Sequence, residues 1–211
     1  MSKTEITSSK EPIRLFESDF LEFFTHIHPA VVLIIWIPVL LYFFYRAIAQ
    51  APPGVAVFSV PIGFILGGFL WTLAEYTLHR FLFHFKPHTP RQERISFLFH
   101  GVHHAQPMSK TRLVMPPAVS IPLAFVFYGI FTLVVGLLLG APAWVSPLFS
   151  GFIAGYIVYD SLHYSMHHFK IRARAFQSIR RHHMQHHAQT PNLRFGVSSP
   201  LWDHVFGTLP V

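Results

Sequence analysis

The sequence contains no cysteine. That absence excludes disulfides, iron–sulfur clusters, thiolate-ligated haem and cysteine nucleophiles, and leaves the redox compartment open. Any metal bound by this chain has to be held by histidine or carboxylate. Charge is scarce too: Asp, Glu, Lys and Arg together make up 12% of the 211 residues, about half the share usual in a soluble domain. No polar, glycine-serine or proline-rich linker interrupts the chain, and there is no internal repeat or low-complexity tract. A single domain is expected.

What the sequence does have is apolar. Hydrophobic residues account for 52% of it, including 23 phenylalanines. Since about 20 apolar residues at 1.5 Å each cross about 30 Å of hydrocarbon, four runs reach bilayer length: Ala30 to Ala49, Val55 to Leu78, Ala118 to Leu139 and Pro147 to Ser165. The short breaks APPGV and GAPAW make each pair a helical hairpin. The polar stretch 1–29 lacks the layout of a signal peptide, and the run after it is too long for an h-region. The expected fold is all-α and integral to the membrane, with four transmembrane helices in two hairpins.

Basic residues set the expected orientation. Lys3, Lys10 and Arg14 precede the first run. Arg80, Lys86, Arg91, Arg94, Lys110 and Arg112 lie between the second and third, and Lys170, Arg172, Arg174, Arg180, Arg181 and Arg194 follow the fourth. The hairpin turns have none beyond Arg46 at the end of the first run. The positive-inside rule then places both termini and the middle segment in the cytosol. The formal charge of +7 reads as contact with anionic head groups of the lipid bilayer, with no nucleic acid partner.

Sixteen histidines exceed what a packed core needs, and most fall in four groups. HRFLFH holds His79 and His84; HGVHH holds His100, His103 and His104; HYSMHH holds His163, His167 and His168; RHHMQHH holds His182, His183, His186 and His187. All four lie on the expected cytosolic side. Helical positions i, i+3 and i+4 share a face, so His100, His103 and His104 should converge, as should His183, His186 and His187, and His163 with His167. His79 and His84, five apart, sit well over 100° apart on a regular helix. Either the helix breaks or widens between them, or they serve different metals. Ten ligands are too many for one four-coordinate zinc and suit two ions with about five nitrogens each and one position open. A metal channel or carrier would want its ligands at mid-bilayer, whereas these collect at span ends. Glu75 precedes His79 by four residues and Asp160 precedes His163 by three. Each is placed to accept a ring N–H of its histidine, or to pair with a base such as Arg80.

EYTLHRFLFH, HGVHHAQPMSKTRLVMPP, YDSLHYSMHH and RHHMQHHAQTPNLRFGVSSPLWDHVFGT resemble, in order and spacing, the fatty acid 2-hydroxylases of the fatty acid hydroxylase and sterol desaturase superfamily. The histidine boxes alone would also suit desaturases, sterol oxidases or alkane hydroxylases. RLVMPP and WDHVFGT narrow the choice. The resemblance implies a single hydroxylase domain over 30–211 whose cytosolic-face cap holds a di-metal centre. Two iron ions would be in use, zinc being able to replace them on isolation, and dioxygen would be the co-substrate. One oxygen atom would enter the alpha carbon of a fatty acyl lipid substrate.

By motif, the implied ligands are His79, His84, His100, His103, His104, His163, His167, His183, His186 and His187. His168 and His182 adjoin these boxes in an alternative register. Asp203, in WDHVFGT, is either a hydrogen-bond acceptor behind the ligands or a turn residue. His26, His28, His88 and His204 read as ordinary interface histidines. Many eukaryotic relatives carry a fused cytochrome b5 domain that this sequence does not show, so electrons are expected from a separate donor such as a b5-type cytochrome or a ferredoxin with its reductase. Ser109 stands where relatives often have aspartate, which leaves the acceptor as free acid, acyl thioester or ceramide. The expected location is a multi-pass position in the endoplasmic reticulum of a eukaryote or the inner membrane of a bacterium. Other oxidations by the same metal pair, and a histidine-rich metal carrier, are the rival readings.

Overall fold

A computed structural model describes residues 12–210; the basic residues Lys3 and Lys10 of the polar leader lie outside them. Among the described residues there is no strand. In chain order the helices are α1 (Asp19–Phe23), α2 (Pro29–Gln50), α3 (Ala56–Thr77), α4 (Pro90–Ser96), α5 (Val102–Ala105), α6 (Pro117–Phe131), α7 (Val145–His168), α8 (Arg174–Ala188) and α9 (Leu201–Val205). Three π-helical segments continue three of them: Leu78–Phe83 after α3, Phe97–Gly101 after α4 and Thr132–Leu138 after α6.

Three helical stretches are long and apolar enough to cross a membrane: Pro29–Gln50, Ala56–Phe83 and Pro117–Leu138. Most of their apolar side chains face outward, as with Ile34, Tyr45, Phe58, Ile65, Phe125 and Leu137, which suits a lipid solvent. The fourth expected run is present as the 24-residue α7, but it is not among these three. Its second half carries Asp160, His163, His167 and His168, and much of it is buried. A helix buried in protein has less need of an apolar surface.

Two compact units can be distinguished, and α3 and α7 contribute residues to both. One unit comprises Ala30–Thr72 and Met115–Val158. Here glycine brings backbones together. Gly63 and Gly67 lie one turn apart on α3, and Gly151 and Gly155 one turn apart on α7. A Cβ at Gly67 would overlap the Leu148 carbonyl, one at Gly151 the Phe64 carbonyl, and one at Gly155 the Trp71 side chain. Such small-residue contacts are how helices associate where lipid offers no hydrophobic drive. Edge-to-face aromatic pairs complete this core: Trp71 with Phe152 and Tyr156, Trp36 with Tyr156, and Phe43 with Phe149, at centroid separations of 4.7–5.5 Å.

The other unit comprises the described residues up to Pro29, Leu73–Val114 and the chain from Tyr159 onward. The stretch before Ala30 is tied to the middle segment. The Ile27 amide donates to the Thr111 carbonyl (2.8 Å), the Ile13 amide to Gln106 Oε1 (2.8 Å), and Arg112 pairs with Glu22. Thr89 caps α4 by accepting from the Gln92 amide, while the Gln92 side chain accepts from the His88 amide. This capping fixes where α4 begins, ahead of the second histidine box.

Candidate metal centre

Local helix geometry places the imidazoles. Through the π-helical turn Leu78–Phe83 the His84 amide donates to the His79 carbonyl at 3.0 Å. An i→i+5 bond widens the turn, so residues five apart become neighbours and the two rings lie 4.8 Å apart. Of the two alternatives for this spacing, the widened helix is the one observed. His163 and His167 lie one turn apart on α7, and His183 and His187 one turn apart on α8.

The ten histidines form two groups of five, in each of which five ring nitrogens lie within 4.8 Å of one another. The first group is His79, His84, His100, His104 and His186; the second is His103, His163, His167, His183 and His187. The two touch, since the rings of His104 and His187 stack at 4.2 Å. The expected convergence of each i, i+3, i+4 triplet at one point is corrected here. On a helix i+3 and i+4 fall on opposite sides of i, about 100° apart. His100 and His104 accordingly join one group while His103 joins the other, and His183 and His187 share a group that excludes His186.

Nitrogen faces nitrogen in nine of the ten rings. Nε2–Nε2 separations are 3.0 Å for His79–His100, 3.1 Å for His84–His186, 3.0 Å for both His103–His187 and His103–His163, 2.9 Å for His167–His183 and 3.1 Å for His183–His187. Burial, followed by the charge of neighbouring histidines, keeps His100, His103, His104 and His183 well below the usual imidazole range and lowers His84 to about 2. His186 is lowered by burial to about 4 even though the Leu193 carbonyl opposes the shift. These rings are neutral at ordinary pH. His79 Nδ1 lies 2.6 Å from the Phe195 carbonyl and His186 Nδ1 lies 2.7 Å from the Leu193 carbonyl. A carbonyl only accepts, so in both rings the proton is on Nδ1 and Nε2 presents a lone pair. Lone pairs converging at 3 Å repel unless a cation lies among them. Two all-nitrogen sets of this kind fit divalent transition metals.

Behind the rings Glu75 and Asp160 act differently from the sequence expectation. Glu75 is not the acceptor for His79, whose N–H goes to Phe195. Glu75 instead takes the Val197 and Ser198 amides (2.7 and 2.6 Å) and the Ser198 hydroxyl (2.6 Å). Asp160 is buried but does not hold His163, whose Nδ1 has no hydrogen-bond partner among the described residues. Asp203 is fully buried and far from a mere turn residue. It accepts from the Phe195 and Gly196 amides (both 2.8 Å), from the Thr208 hydroxyl (2.7 Å) and from His182 Nε2 (3.0 Å). His182 therefore belongs with Asp203 and not with either group. His168 packs at a tilt against Tyr164, with ring centroids 4.4 Å apart, and joins neither.

The Leu193 and Phe195 carbonyls leave no mark in the sequence, because a backbone acceptor has no letter. The nearest signals are Gly196, where a Cβ would overlap the Ser199 carbonyl, and Arg194, which adopts φ 61°. His26 is more than an interface residue as well: its Nδ1 lies 3.0 Å from the Thr111 hydroxyl and its Nε2 2.9 Å from Arg112.

Residues 64–208 match the fatty acid hydroxylase family model. The chain is 36% identical over 203 residues to a dihydroceramide fatty acyl 2-hydroxylase of Arabidopsis thaliana, covering 96% of this chain and 82% of the relative. It is 38% identical to fatty acid 2-hydroxylase of Homo sapiens, covering 94% of this chain and 57% of that one. A solved structure of full-length scs7p, in which only the hydroxylase domain is visible, superposes with a TM-score of 0.82 at 37% identity, over 92% of this chain and 70% of that one. With the histidine boxes, the helical architecture and the matched span in agreement, this chain belongs to the fatty acid hydroxylase family.

Proposed function

We propose that this chain hydroxylates the 2-carbon of a fatty acyl lipid, with two iron ions held by the two histidine groups. The observation that carries the reading is the pair of touching, all-histidine groups with inward lone pairs, in a chain whose relatives are named fatty acyl 2-hydroxylases. When bound, a redox-active metal pair supplies the activation of dioxygen. Overall, R–H, dioxygen, two electrons and two protons give R–OH and water, the electrons coming from a b5-type cytochrome or a ferredoxin with its reductase.

The residues bind, orient and exclude water. Neutral imidazoles provide the ligands. The Phe195 and Leu193 carbonyls fix two of them by holding the proton on Nδ1, and burial of seven of the ten histidines limits access of solvent. The basic residues around the histidine boxes support a cytosolic position for them by the positive-inside rule, near the head-group boundary. An amphiphile keeps its polar head in that boundary, so a carbon next to the head is the one most readily presented. The family relatives supply the choice of the 2-carbon.

The test supplies a saturated acyl substrate under labelled dioxygen and reads the product by mass spectrometry. A 2-hydroxyacyl product carrying one label is expected. A mid-chain double bond or a terminal alcohol would refute this activity.

A further inference from the structure

We infer that the two histidine groups hold their metals with unequal strength, the first group being the tighter because residues 193–198 brace it from behind. This rests on the two-metal reading above. The asymmetry is visible in the Nδ1 atoms, on the side of each ring away from the converging Nε2 atoms. In the first group, His79 and His186 donate to the Phe195 and Leu193 carbonyls. In the second, Nδ1 of His103, His163, His183 and His187 is buried without a hydrogen-bond partner among the described residues, whereas in the first one ring nitrogen, His104 Nε2, is so placed.

The brace is itself held firmly. Four consecutive amides, Phe195 to Ser198, donate to only two carboxylates, Asp203 and Glu75. The Arg194 amide donates to the Thr208 carbonyl at 2.9 Å, and the positive φ at Arg194 lies between the two accepting carbonyls. Arg194 Nη1 lies 3.4 Å from His182 Nδ1, and a guanidinium only donates, so His182 carries its proton on Nε2 and donates to Asp203. Fixing a ring's tautomer and orientation from behind raises metal affinity about 10- to 100-fold. A ring whose N–H is buried without an acceptor has no such support.

The experiment uses the full chain in detergent, loaded with zinc and titrated with a chelator, with metal per chain measured after desalting. Removal in two stages is expected, with a plateau at one ion per chain spanning about 10- to 100-fold in chelator. His163→Ala should retain an ion through the plateau, and His79→Ala should retain none there. Asp203→Asn should weaken retention in the His163→Ala background and leave the His79→Ala background unchanged, a pattern that general destabilisation would not produce. Release of both ions in one stage, or retention by His79→Ala in place of His163→Ala, would overturn the inference. Uptake of fewer than two ions by the unaltered chain would overturn the two-metal reading, and this inference with it.

Discussion

At the scale of single residues, the chain's least expected feature is a charged cluster ahead of the first apolar helix. Glu22 accepts from the Leu15 and Phe16 amides, both at 2.9 Å, and pairs with Arg112, whose side chain is 1% exposed. Burial alone would raise the Glu22 carboxyl. The Phe16 and Leu15 amides, His26 and Arg112 outweigh it and hold the group at about 2, against an ordinary 4.5. A carboxylate with a lowered folded pKa adds stability above its unfolded value, and that contribution is lost as pH falls from about 4.5 through about 2. Thermal unfolding in detergent should therefore fall in that window for the native chain and be flatter for Glu22→Gln. At neutral pH this variant should be less stable by about 3 kcal/mol, since it strands a buried guanidinium. The same scale shows what could be read in advance. Ten histidines at helical spacings are legible because each is a letter with one chemistry. That Glu75 braces a loop and leaves His79 to a carbonyl is not, because donor pairing depends on where a distant segment, here Phe195 to Ser198, comes to lie.

At the scale of elements, spacing was informative where it departed from the regular helix. The five-residue interval between His79 and His84 left a widened turn or two separate metals as alternatives, and the π-helical segment Leu78–Phe83 brings both into one group. The triplets were harder to read, because sharing a face does not distinguish the two edges of that face. Three of the four expected spans stand out by apolarity alone, while α7 is masked by its own polar residues. The glycines of GFILG and GFIAG are a clear signal for close helix approach, with Gly151 pressed on the Phe64 carbonyl and Gly67 on the Leu148 carbonyl. Gly151→Leu should force these backbones apart and lower stability by about 3 kcal/mol or more. Gly129, with nothing near its Cβ position, should accept Ala with little change. Unfolding temperatures of the two variants in one detergent give the comparison, and equal shifts would refute this account of the contact.

At the scale of the whole molecule, the apolar composition and the clustered histidines are enough to indicate an all-helical chain with helices of membrane length and histidine groups able to hold metal. The division into units built from separate stretches of chain is not indicated by them, since it depends on which distant segments meet. That discontinuity affects how the protein is made. Ligands of the first group are synthesised as early as His79, but the ring is oriented by Phe195, and Phe195 is held by Asp203, which is bonded in turn to Thr208. Synthesis from the ribosome is directional, so the apolar helices can enter the bilayer well before the brace exists. On the two-metal reading, metal capture at the first group is then a late event in biogenesis, coming after insertion and dependent on a segment made more than a hundred residues after His79. A chain stopped after Pro200 should still insert, yet after gentle purification it should carry less metal than the chain extended through Thr208. Equal metal content in the two would show that the ligands find their geometry without the brace.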